Sequence, residues 1–258
     1  MSKSIKSKFA AQLYTLRNEL EQDFPETLRT LKKMGWPAVQ ISGLRNHTKE
    51  QIAAALQETG LKTAGMHVPL DRFRNDLAEV LAEAELFQTK DLICPHIAED
   101  VRNEAGYRSI REELNELAAK LASDGYRISY HNHAFELEVQ VEGKTALEYL
   151  LEPSVKNAVL AEVDVYWVKK GGFDPLSFIQ PYTNRMPIIH LKDMSNDERQ
   201  FYAEIGTGTI DFAPILRWGE QSGIEWYAVE QDECPGNPLD SLQLSLNNLN
   251  KLADELEL

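Results

Sequence analysis

Cysteine and long apolar runs are both scarce in this sequence. Its 258 residues include two cysteines, Cys94 and Cys234, which are too few for a disulfide framework and fit a reducing compartment. No apolar run approaches the ~20 residues needed to cross a bilayer. No apolar stretch typical of a secretory signal follows the N-terminal residues 1–8. We therefore expect a cytoplasmic protein with no membrane partner.

Positive charge is also in short supply. The chain carries 27 lysines and arginines against 41 aspartates and glutamates, which gives a net charge of −14 and a pI near 4.9. This balance argues against a nucleic-acid partner, because binding to a phosphate backbone requires a basic surface. A local positive group is enough for a small sugar or sugar phosphate, so we expect a small-molecule substrate of that kind.

Short apolar runs alternate with longer amphipathic runs along the whole chain. The apolar runs end near residues 14, 41, 67, 94, 131, 164, 190 and 230, and the predicted helices cover 24–34, 48–59, 75–87, 107–123, 145–151, 175–182, 212–222 and 238–255. Eight strand–helix pairs with no glycine-rich linker predict an α/β fold, one (β/α)8 barrel that covers residues 1–258. A doubly wound open sheet is the alternative, but no glycine-rich phosphate turn follows the first strand.

Residues able to bind a metal or transfer a proton cluster at the predicted strand ends. Five of the six histidines lie at or just after such an end. In a (β/α)8 barrel the carboxyl ends of the strands form the active-site face. The candidates at that face are Gln12, Tyr14, His67, His96, His131, His133, Asp164, Trp167, His190, Lys192 and Glu230.

Four of these side chains come from strands five to eight, which are neighbours in a barrel. Imidazole and carboxylate groups around one point suit Mn²⁺, Co²⁺, Fe²⁺ or Zn²⁺, so we expect one divalent ion held by His131, Asp164, His190 and Glu230. Taken singly, Asp164 also fits a helix cap, and Glu230 fits an exposed carboxylate beside Asp232 and Glu233.

Other residues near these strand ends suggest catalytic and substrate-binding roles. His133 and Glu136 are candidates for acid–base work, and His133 is also an alternative ligand to His131. Lys192 can hold a phosphate or an enolate oxygen, or can belong to a solvated loop pair with Asp193. The segment from Glu204 to Phe212 is either a loop over substrate or a simple helix entry, and Trp167 with Tyr166 can form an apolar wall for a sugar ring.

Several of these motifs together resemble the sugar phosphate isomerase/epimerase family of the xylose isomerase-like TIM barrel superfamily. The resemblance spans almost the whole chain, and it rests on Gln12-Leu13-Tyr14-Thr15-Leu16-Arg17, Tyr130-His131-Asn132-His133 with Glu136, Asp164-Val165-Tyr166-Trp167, His190-Leu191-Lys192-Asp193, Glu204-Ile205-Gly206-Thr207-Gly208 and Val229-Glu230.

This resemblance implies a metal site with one departure from the family pattern. Ketose 3-epimerases hold their metal with a glutamate, an aspartate, a histidine and a second glutamate. The last three fall on Asp164, His190 and Glu230, whereas the first falls on His131, where imidazole replaces carboxylate. Because both glutamates shuttle protons in those enzymes, the usual two-base mechanism is in doubt for this chain.

The activity we expect is that of a sugar isomerase or epimerase. Glu230 and a histidine, His131 or His133, would move protons next to a carbonyl through an enediolate. The residues expected to bind the substrate are Gln12, Tyr14, His67, Trp167, Lys192 and Glu204. Relatives are often dimers or tetramers, so a homo-oligomer is possible.

Three other functions remain open at this point. A lyase or hydratase acting on a keto-sugar or 3-keto-glycoside uses the same residues, and His131 in the first ligand position modestly favours it. Cleavage of DNA at abasic sites requires more metal ligands and a basic groove, which the charge of −14 opposes. A sugar-binding barrel without turnover is the third.

Overall fold

Eight parallel strands form one sheet that curls into a barrel. The computed structural model describes residues 4–258, so the first three residues of the N-terminal segment lie outside the described part. The strand order around the sheet is β6-β5-β4-β3-β2-β1-β8-β7. The strands are β1 Phe9–Gln12, β2 Ala38–Ser42, β3 Lys62–His67, β4 Asp91–Cys94, β5 Arg127–His131, β6 Leu160–Glu162, β7 Ile188–Leu191 and β8 Trp226–Val229.

The seam between β6 and β7 closes the barrel with few contacts. A single parallel bridge joins Asp164 to His190. Two backbone hydrogen bonds support it, from Ala161 N to Arg185 O at 2.8 Å and from His190 N to Val163 O at 2.9 Å. The predicted (β/α)8 barrel is thereby confirmed, and two of the predicted ligands meet at its closing seam.

The α-helices surround the barrel, and eight of them fall on the predicted ranges, whereas the short helices Leu70–Asn75, Phe135–Glu138 and Val165–Lys170 were not predicted. The helices are α1 Arg17–Met34, α2 Lys49–Thr59, α3 Leu70–Asn75, α4 Leu77–Leu86, α5 Glu104–Leu121, α6 Phe135–Glu138, α7 Ala146–Leu151, α8 Val165–Lys170, α9 Pro175–Ile179, α10 Phe212–Gln221 and α11 Pro238–Leu256. None of the helices in residues 4–258 is long and apolar enough to span a membrane.

Local sequence signals explain where the first two helices begin and end. Thr48 and Gln51 form the predicted capping box at the start of α2, and Gly60 ends that helix in the left-handed conformation. Helix α1 begins at Arg17, before the predicted residue 24, because it contains two helical segments that meet at Asp23, whose backbone is not helical. The Asp23 carboxylate then accepts a hydrogen bond from Glu26 N at 2.9 Å and so starts the second half.

The barrel interior is divided into an apolar part and a polar part. Small apolar side chains pack inside it in two clusters, Ala10, Ala38 and Ala64 in one and Ile93, Ile188 and Ala228 in the other. The main core lies outside the strands, against the helices. Towards the carboxyl ends the interior becomes polar, and the buried polar side chains there include Gln12, Gln40, His67, His131, Glu162 and His190. The fold therefore directs its polar chemistry to one end.

Candidate metal centre and its cleft

A cleft of about 330 Å³ opens at the carboxyl ends of the strands, where the sequence predicts the active site. Residues from β2, β3, β5 and β8 or from the loops that follow these strands contribute to it, together with the loops after β1 and β4. Its lining comprises Tyr14, Ser42, Gly43, Arg45, His67, Pro69, Pro95, His96, His131, His133, Glu230 and Asp232. Four histidines and two carboxylates thus face one small space.

The four predicted metal ligands converge beside this cleft. His131 ends β5, Asp164 precedes α8, His190 lies in β7 and Glu230 directly follows β8. One donor atom from each residue lies within 4.8 Å of the others, and all four residues are buried. This separation is close to the span of two ligand bonds of about 2.0–2.3 Å each. The four side chains are therefore placed as a single ion would require.

Asp164 serves the fold with one carboxylate oxygen and leaves the other available. Its Oδ1 accepts hydrogen bonds from Tyr166 N at 2.9 Å and Trp167 N at 3.3 Å, so it caps α8. Its Oδ2 is buried and has no hydrogen-bond partner. The helix-cap and metal-ligand interpretations of Asp164 are thus compatible, because each uses a different oxygen.

Unpartnered buried atoms provide a test of whether a metal fits this site. Besides Asp164 Oδ2, the buried Nδ1 of His131 has no hydrogen-bond partner. Buried polar atoms without a hydrogen bond are rare in native interiors, and these two have only ion-pair contacts, Asp164 Oδ2 with Lys192 Nζ at 3.0 Å and His131 Nδ1 with Glu162 Oε1 at 3.5 Å. Both residues belong to the donor set, which combines two imidazoles and two carboxylates and suits a divalent ion of the Mn²⁺, Co²⁺, Fe²⁺ or Zn²⁺ type. The residues present therefore fit such an ion, whose identity they do not select.

Lys192 is fully buried at the same point and does not belong to a solvated loop pair. Its Nζ lies 3.0 Å from Asp164 Oδ2, without hydrogen-bond geometry, 3.0 Å from Glu230 Oε2 and 2.6 Å from Asp232 Oδ2. Burial opposes the charged ammonium, but these three carboxylates outweigh it and raise the pKa of Lys192 well above its usual value. A permanent positive charge therefore faces the carboxylates of the site.

Aromatic side chains surround Lys192. Its Nζ lies 5.9 Å from the ring centre of Tyr166, 5.3 Å from that of Trp167 and 5.6 Å from that of Tyr202. These rings also contact one another. These three rings therefore pack around the lysine, and Trp167 also approaches the His133 ring at 5.5 Å.

The charges of the ligand side chains follow from their neighbours in the metal-free protein. Burial raises the pKa of Asp164 to about 6, although Lys192 and His190 act in the opposite direction. Burial disfavours ionised Glu230, but Lys192 and His190 outweigh it and hold its pKa well below the usual range. Burial and the positive His190 push the pKa of His131 well below its usual value. Glu230 is thus an ionised carboxylate and His131 a neutral imidazole.

The most connected side chain of the site, Glu162, is absent from the sequence-based candidates. It ends β6 and is completely buried. Its carboxylate accepts a hydrogen bond from Gln40 Nε2 at 2.5 Å, and lies 2.6 Å from His67 Nε2 and 3.1 Å from His190 Nε2. The two-residue period of a strand carries the signal, because Glu162 and Asp164 share one side of the chain.

The predicted acid–base residues His133 and Glu136 lie in different surroundings. His133 lines the cleft, and burial together with the positive Lys192 lowers its pKa to about 3. Glu136 is buried outside the cleft lining, where it accepts hydrogen bonds from Tyr130 Oη at 2.8 Å and His133 N at 2.7 Å. Burial raises the pKa of Glu136 to about 7. Glu136 therefore positions the loop that carries His133.

The predicted substrate-binding residues fall into two groups. Tyr14, about one-third exposed, and His67 line the cleft. Gln12 is completely buried beneath it, and Trp167 and Lys192 lie in the aromatic cluster. Glu204 does not line the cleft, since its carboxylate accepts a hydrogen bond from Ser241 Oγ at 2.7 Å. The structure thus does not bring Gln12, Trp167, Lys192 and Glu204 to the cleft lining.

Asp193 fixes the loop that contains the Gly-x-Gly motif. Its Oδ2 accepts hydrogen bonds from Gly206 N at 3.0 Å and Gly208 N at 2.9 Å, and its Oδ1 accepts one from Ile210 N at 3.0 Å. Asp211 then caps α10 through Ala213 N at 3.1 Å. The motif is therefore a tightly held entry to a helix.

The parallel barrel, with polar side chains gathered at the carboxyl ends of its strands, is the arrangement found in (β/α)8 barrel enzymes. The chain belongs to the xylose isomerase-like TIM barrel family, whose sequence model matches residues 28–252. The expected family is thereby confirmed.

Individual relatives of low sequence identity support this membership. An inosose dehydratase from Clostridium perfringens is 28% identical over 159 residues, and the match covers 54% of this chain and 52% of that protein. The chain thus spans about half the length of that curated relative. An inosose dehydratase from Geobacillus kaustophilus is 21% identical over 273 residues, with 90% of this chain and 88% of that protein covered.

A solved structure shows the same fold along almost the whole chain. It is a sugar phosphate isomerase/epimerase from Parabacteroides distasonis, with a TM-score of 0.79 and 22% identity. The superposition covers 95% of this chain and 98% of the other. The overlap extends over the complete barrel.

Proposed function

We propose that this chain is a metal-dependent lyase that removes the proton next to the carbonyl of a keto-sugar or cyclic polyol ketone and then eliminates a group from the adjacent carbon. The observation that carries the proposal is the convergence of Asp164, His190, Glu230 and His131 beside a small cleft. A divalent ion, when bound there, would polarise the substrate carbonyl and stabilise the enolate charge. The two inosose dehydratase relatives support this class of substrate.

Glu230 is the proton acceptor in this proposal. It lines the cleft, and the adjacent positive charges of Lys192 and His190 keep it ionised. A carboxylate in contact with substrate can take a proton from a carbon made acidic by the neighbouring carbonyl. Lys192 holds the Glu230 carboxylate at 3.0 Å and so orients it towards the cleft.

Asp232 is suited to return a proton to the leaving group. It lines the same cleft two residues after Glu230, and burial raises its pKa although Lys192 acts against this. Both carboxyl groups follow β8, so they approach the substrate from one side of the barrel. Removal and return of a proton on the same side support elimination at the adjacent carbon.

Groups from the opposite half of the barrel are poor acids in the metal-free protein. His131 and His133 are kept neutral by burial and by nearby positive charges. Epimerisation delivers the proton to the opposite face, which requires a group that can donate a proton there. An isomerase is the second candidate, because Asp232 beside Glu230 could return the proton to a neighbouring carbon without changing sides.

The test is product analysis in deuterated water with Mn²⁺ added. Inososes, 3-keto-glycosides and free ketoses are offered to the protein, and each reaction is followed by NMR. A lyase releases water or an aglycone and gives an unsaturated ketone. Deuterium incorporation into a free ketose, with an isomeric product and no leaving group, would instead establish the isomerase. If none of these substrates reacts, with or without a divalent ion, both the lyase and the isomerase proposals are contradicted.

A further inference from the structure

Glu162 lies beneath the metal centre and is bonded on both oxygens. Its Oε2 accepts the 2.5 Å hydrogen bond from Gln40 Nε2, and its Oε1 lies 2.6 Å from His67 Nε2 and 3.1 Å from His190 Nε2. These donors come from β2, β3 and β7, whereas Glu162 belongs to β6. One buried carboxylate therefore joins four strands of the barrel.

A chain of side-chain amides fixes the orientation of Gln40. The backbone N–H of Tyr14 can only donate, and it donates to Gln12 Oε1 at 3.1 Å. Gln12 Nε2 must then donate to Gln40 Oε1, 2.6 Å away, which leaves Gln40 Nε2 to donate to Glu162. Each amide in the chain has only one orientation that satisfies its neighbours.

This orientation determines which nitrogen of His190 keeps its hydrogen when the other nitrogen binds a cation. His190 Nε2 lies 2.7 Å from Gln40 Oε1 and 3.1 Å from Glu162 Oε1, and both oxygens are acceptors. Nε2 must therefore be the N–H donor. The other nitrogen, Nδ1, is on the opposite edge of the ring and lies 3.2 Å from Glu230 Oε2, within the set of metal ligands.

We propose that Glu162 is a positioning residue that, through Gln40 and by direct contact, fixes the His190 ring with Nδ1 towards the cation held by Asp164 and Glu230. Hydrogen bonding from the second ring nitrogen of a ligand histidine sets its tautomer and its basicity. The inference rests on the metal-dependent function proposed above. It assigns Glu162 a role outside the ligand set.

The same geometry argues against Glu162 as a ligand in its own right. Glu162 and the histidines His67, His131 and His190 also place donor atoms within 4.8 Å of one another. However, His67 Nε2 lies 2.6 Å from the Glu162 carboxylate, which is a hydrogen-bond distance. An ion bound to both atoms would hold them about 2.8 Å or more apart at bond lengths of about 2.0–2.2 Å.

The substitution Glu162→Gln tests the proposal because it removes a carboxylate acceptor from His190 Nε2. The new amide oxygen accepts from Gln40 Nε2, so the new NH₂ group takes the place of Oε1 and opposes the N–H of His190 Nε2, which keeps only Gln40 Oε1 as acceptor. We expect about 10- to 100-fold weaker Mn²⁺ binding by calorimetry. The exchange variant, Glu162→Gln with Gln40→Glu, again gives His190 Nε2 a carboxylate acceptor. Its affinity for Mn²⁺ should recover to within about threefold of the wild type.

A matched control and a measurement on the unmodified protein complete the test. Glu83 is also buried and is paired with Arg72 at 2.9 Å, outside the cleft, so Glu83→Gln should leave Mn²⁺ affinity unchanged. Nitrogen NMR of the Zn²⁺-loaded wild type should show His190 bound through Nδ1 with a protonated Nε2. This measurement applies even where a variant fails to fold.

Each other outcome overturns the inference. Coordination through His190 Nε2, wild-type affinity in Glu162→Gln, failure of the exchange variant to recover, or a second ion that is lost in Glu162→Gln would each contradict it. Absence of metal binding by the wild type overturns this inference and the proposed function together. Tight binding of one ion through Nδ1 without turnover of any ketone contradicts only the proposed function.

Discussion

Lys192 Nζ and Glu230 Oε2 lie 3.0 Å apart. A buried ammonium therefore contacts the carboxylate that we propose both as a metal ligand and as the acceptor of the substrate proton. The same ammonium lies 3.0 Å from Asp164 Oδ2. Two of the four ligands therefore share one lysine. Lys192 and a divalent ion compete for the same negative charge, and the pair also keeps Glu230 ionised in the absence of metal.

Replacing Lys192 with methionine should tighten metal binding and weaken the metal-free protein. At an effective dielectric constant of 20, two unit charges 4 Å apart interact by about 4 kcal/mol, so we expect at least about tenfold tighter Mn²⁺ binding. Without metal, the free energy of unfolding of the variant should be lower by about 3–5 kcal/mol, because the buried carboxylates lose their positively charged partner. Urea unfolding with and without Mn²⁺ measures both effects. Lys251→Met, at a lysine with 77% side-chain exposure, is the control, and weaker Mn²⁺ binding in Lys192→Met would refute the competition.

Substitutions at Glu230 and Asp232 should separate the two proton transfers. Glu230→Gln should slow deuterium exchange next to the carbonyl by about 10²- to 10⁴-fold, the usual range for loss of a general base. Asp232→Asn should retain exchange and slow release of the leaving group. Both are measured at saturating Mn²⁺, since Glu230 is also a proposed ligand. Equal loss of exchange in the two variants would contradict these separate roles.

His133 should make the metal-free protein sensitive to acid. Its pKa is lowered to about 3 in the fold, whereas an unfolded histidine titrates near 6.5. Between these values the unfolded chain binds more protons, so stability is full above pH 6.5 and declines as the pH falls towards 3. In His133→Asn this decline should be smaller by about 1–2 kcal/mol between pH 7.5 and 4.5, after allowance for partial solvation. Urea unfolding in chelator at both pH values tests this, and parallel declines would contradict it.

Gly208 should be intolerant of any side chain. A Cβ at this position would lie 2.2 Å from Met194 O and 2.4 Å from Asp193 Oδ1, the carboxylate that holds the loop. Gly208→Ala should therefore destabilise the protein by about 1–3 kcal/mol through overpacking. Gly236→Ala is the matched control, because no atom lies within 4 Å of its added Cβ. Similar urea midpoints for both variants would count against the tight packing of the Asp193 loop.

The fold could be predicted because short apolar runs and amphipathic runs alternate eight times. Boundaries were less accurate where an apolar run continues past the end of a strand. The run predicted to end near residue 164 forms a strand only over Leu160–Glu162, because Asp164 leaves the strand to cap the next helix. Similarly, the first strand ends at Gln12, whose side chain accepts from Tyr14 N and begins a 3-10 turn.

The convergence of His131, Asp164, His190 and Glu230 could be predicted because neighbouring strands bring their carboxyl ends together. The burial of Lys192 could not, since it depends on three carboxylates from two other strand ends that compensate its charge. The role of Glu162 could not be predicted, because a single glutamate in an apolar run gives no indication that three histidines and a glutamine from other strands will contact it. Such contacts are a property of the closed barrel.

The seam between β6 and β7 would give a bound metal ion a mechanical role. Asp164 and His190 form the one bridge that joins these strands, and their side chains are both proposed ligands. An ion bound there would link the two edge strands of the sheet through side chains from both. Removing it would loosen the cylinder first at the place where the reaction occurs.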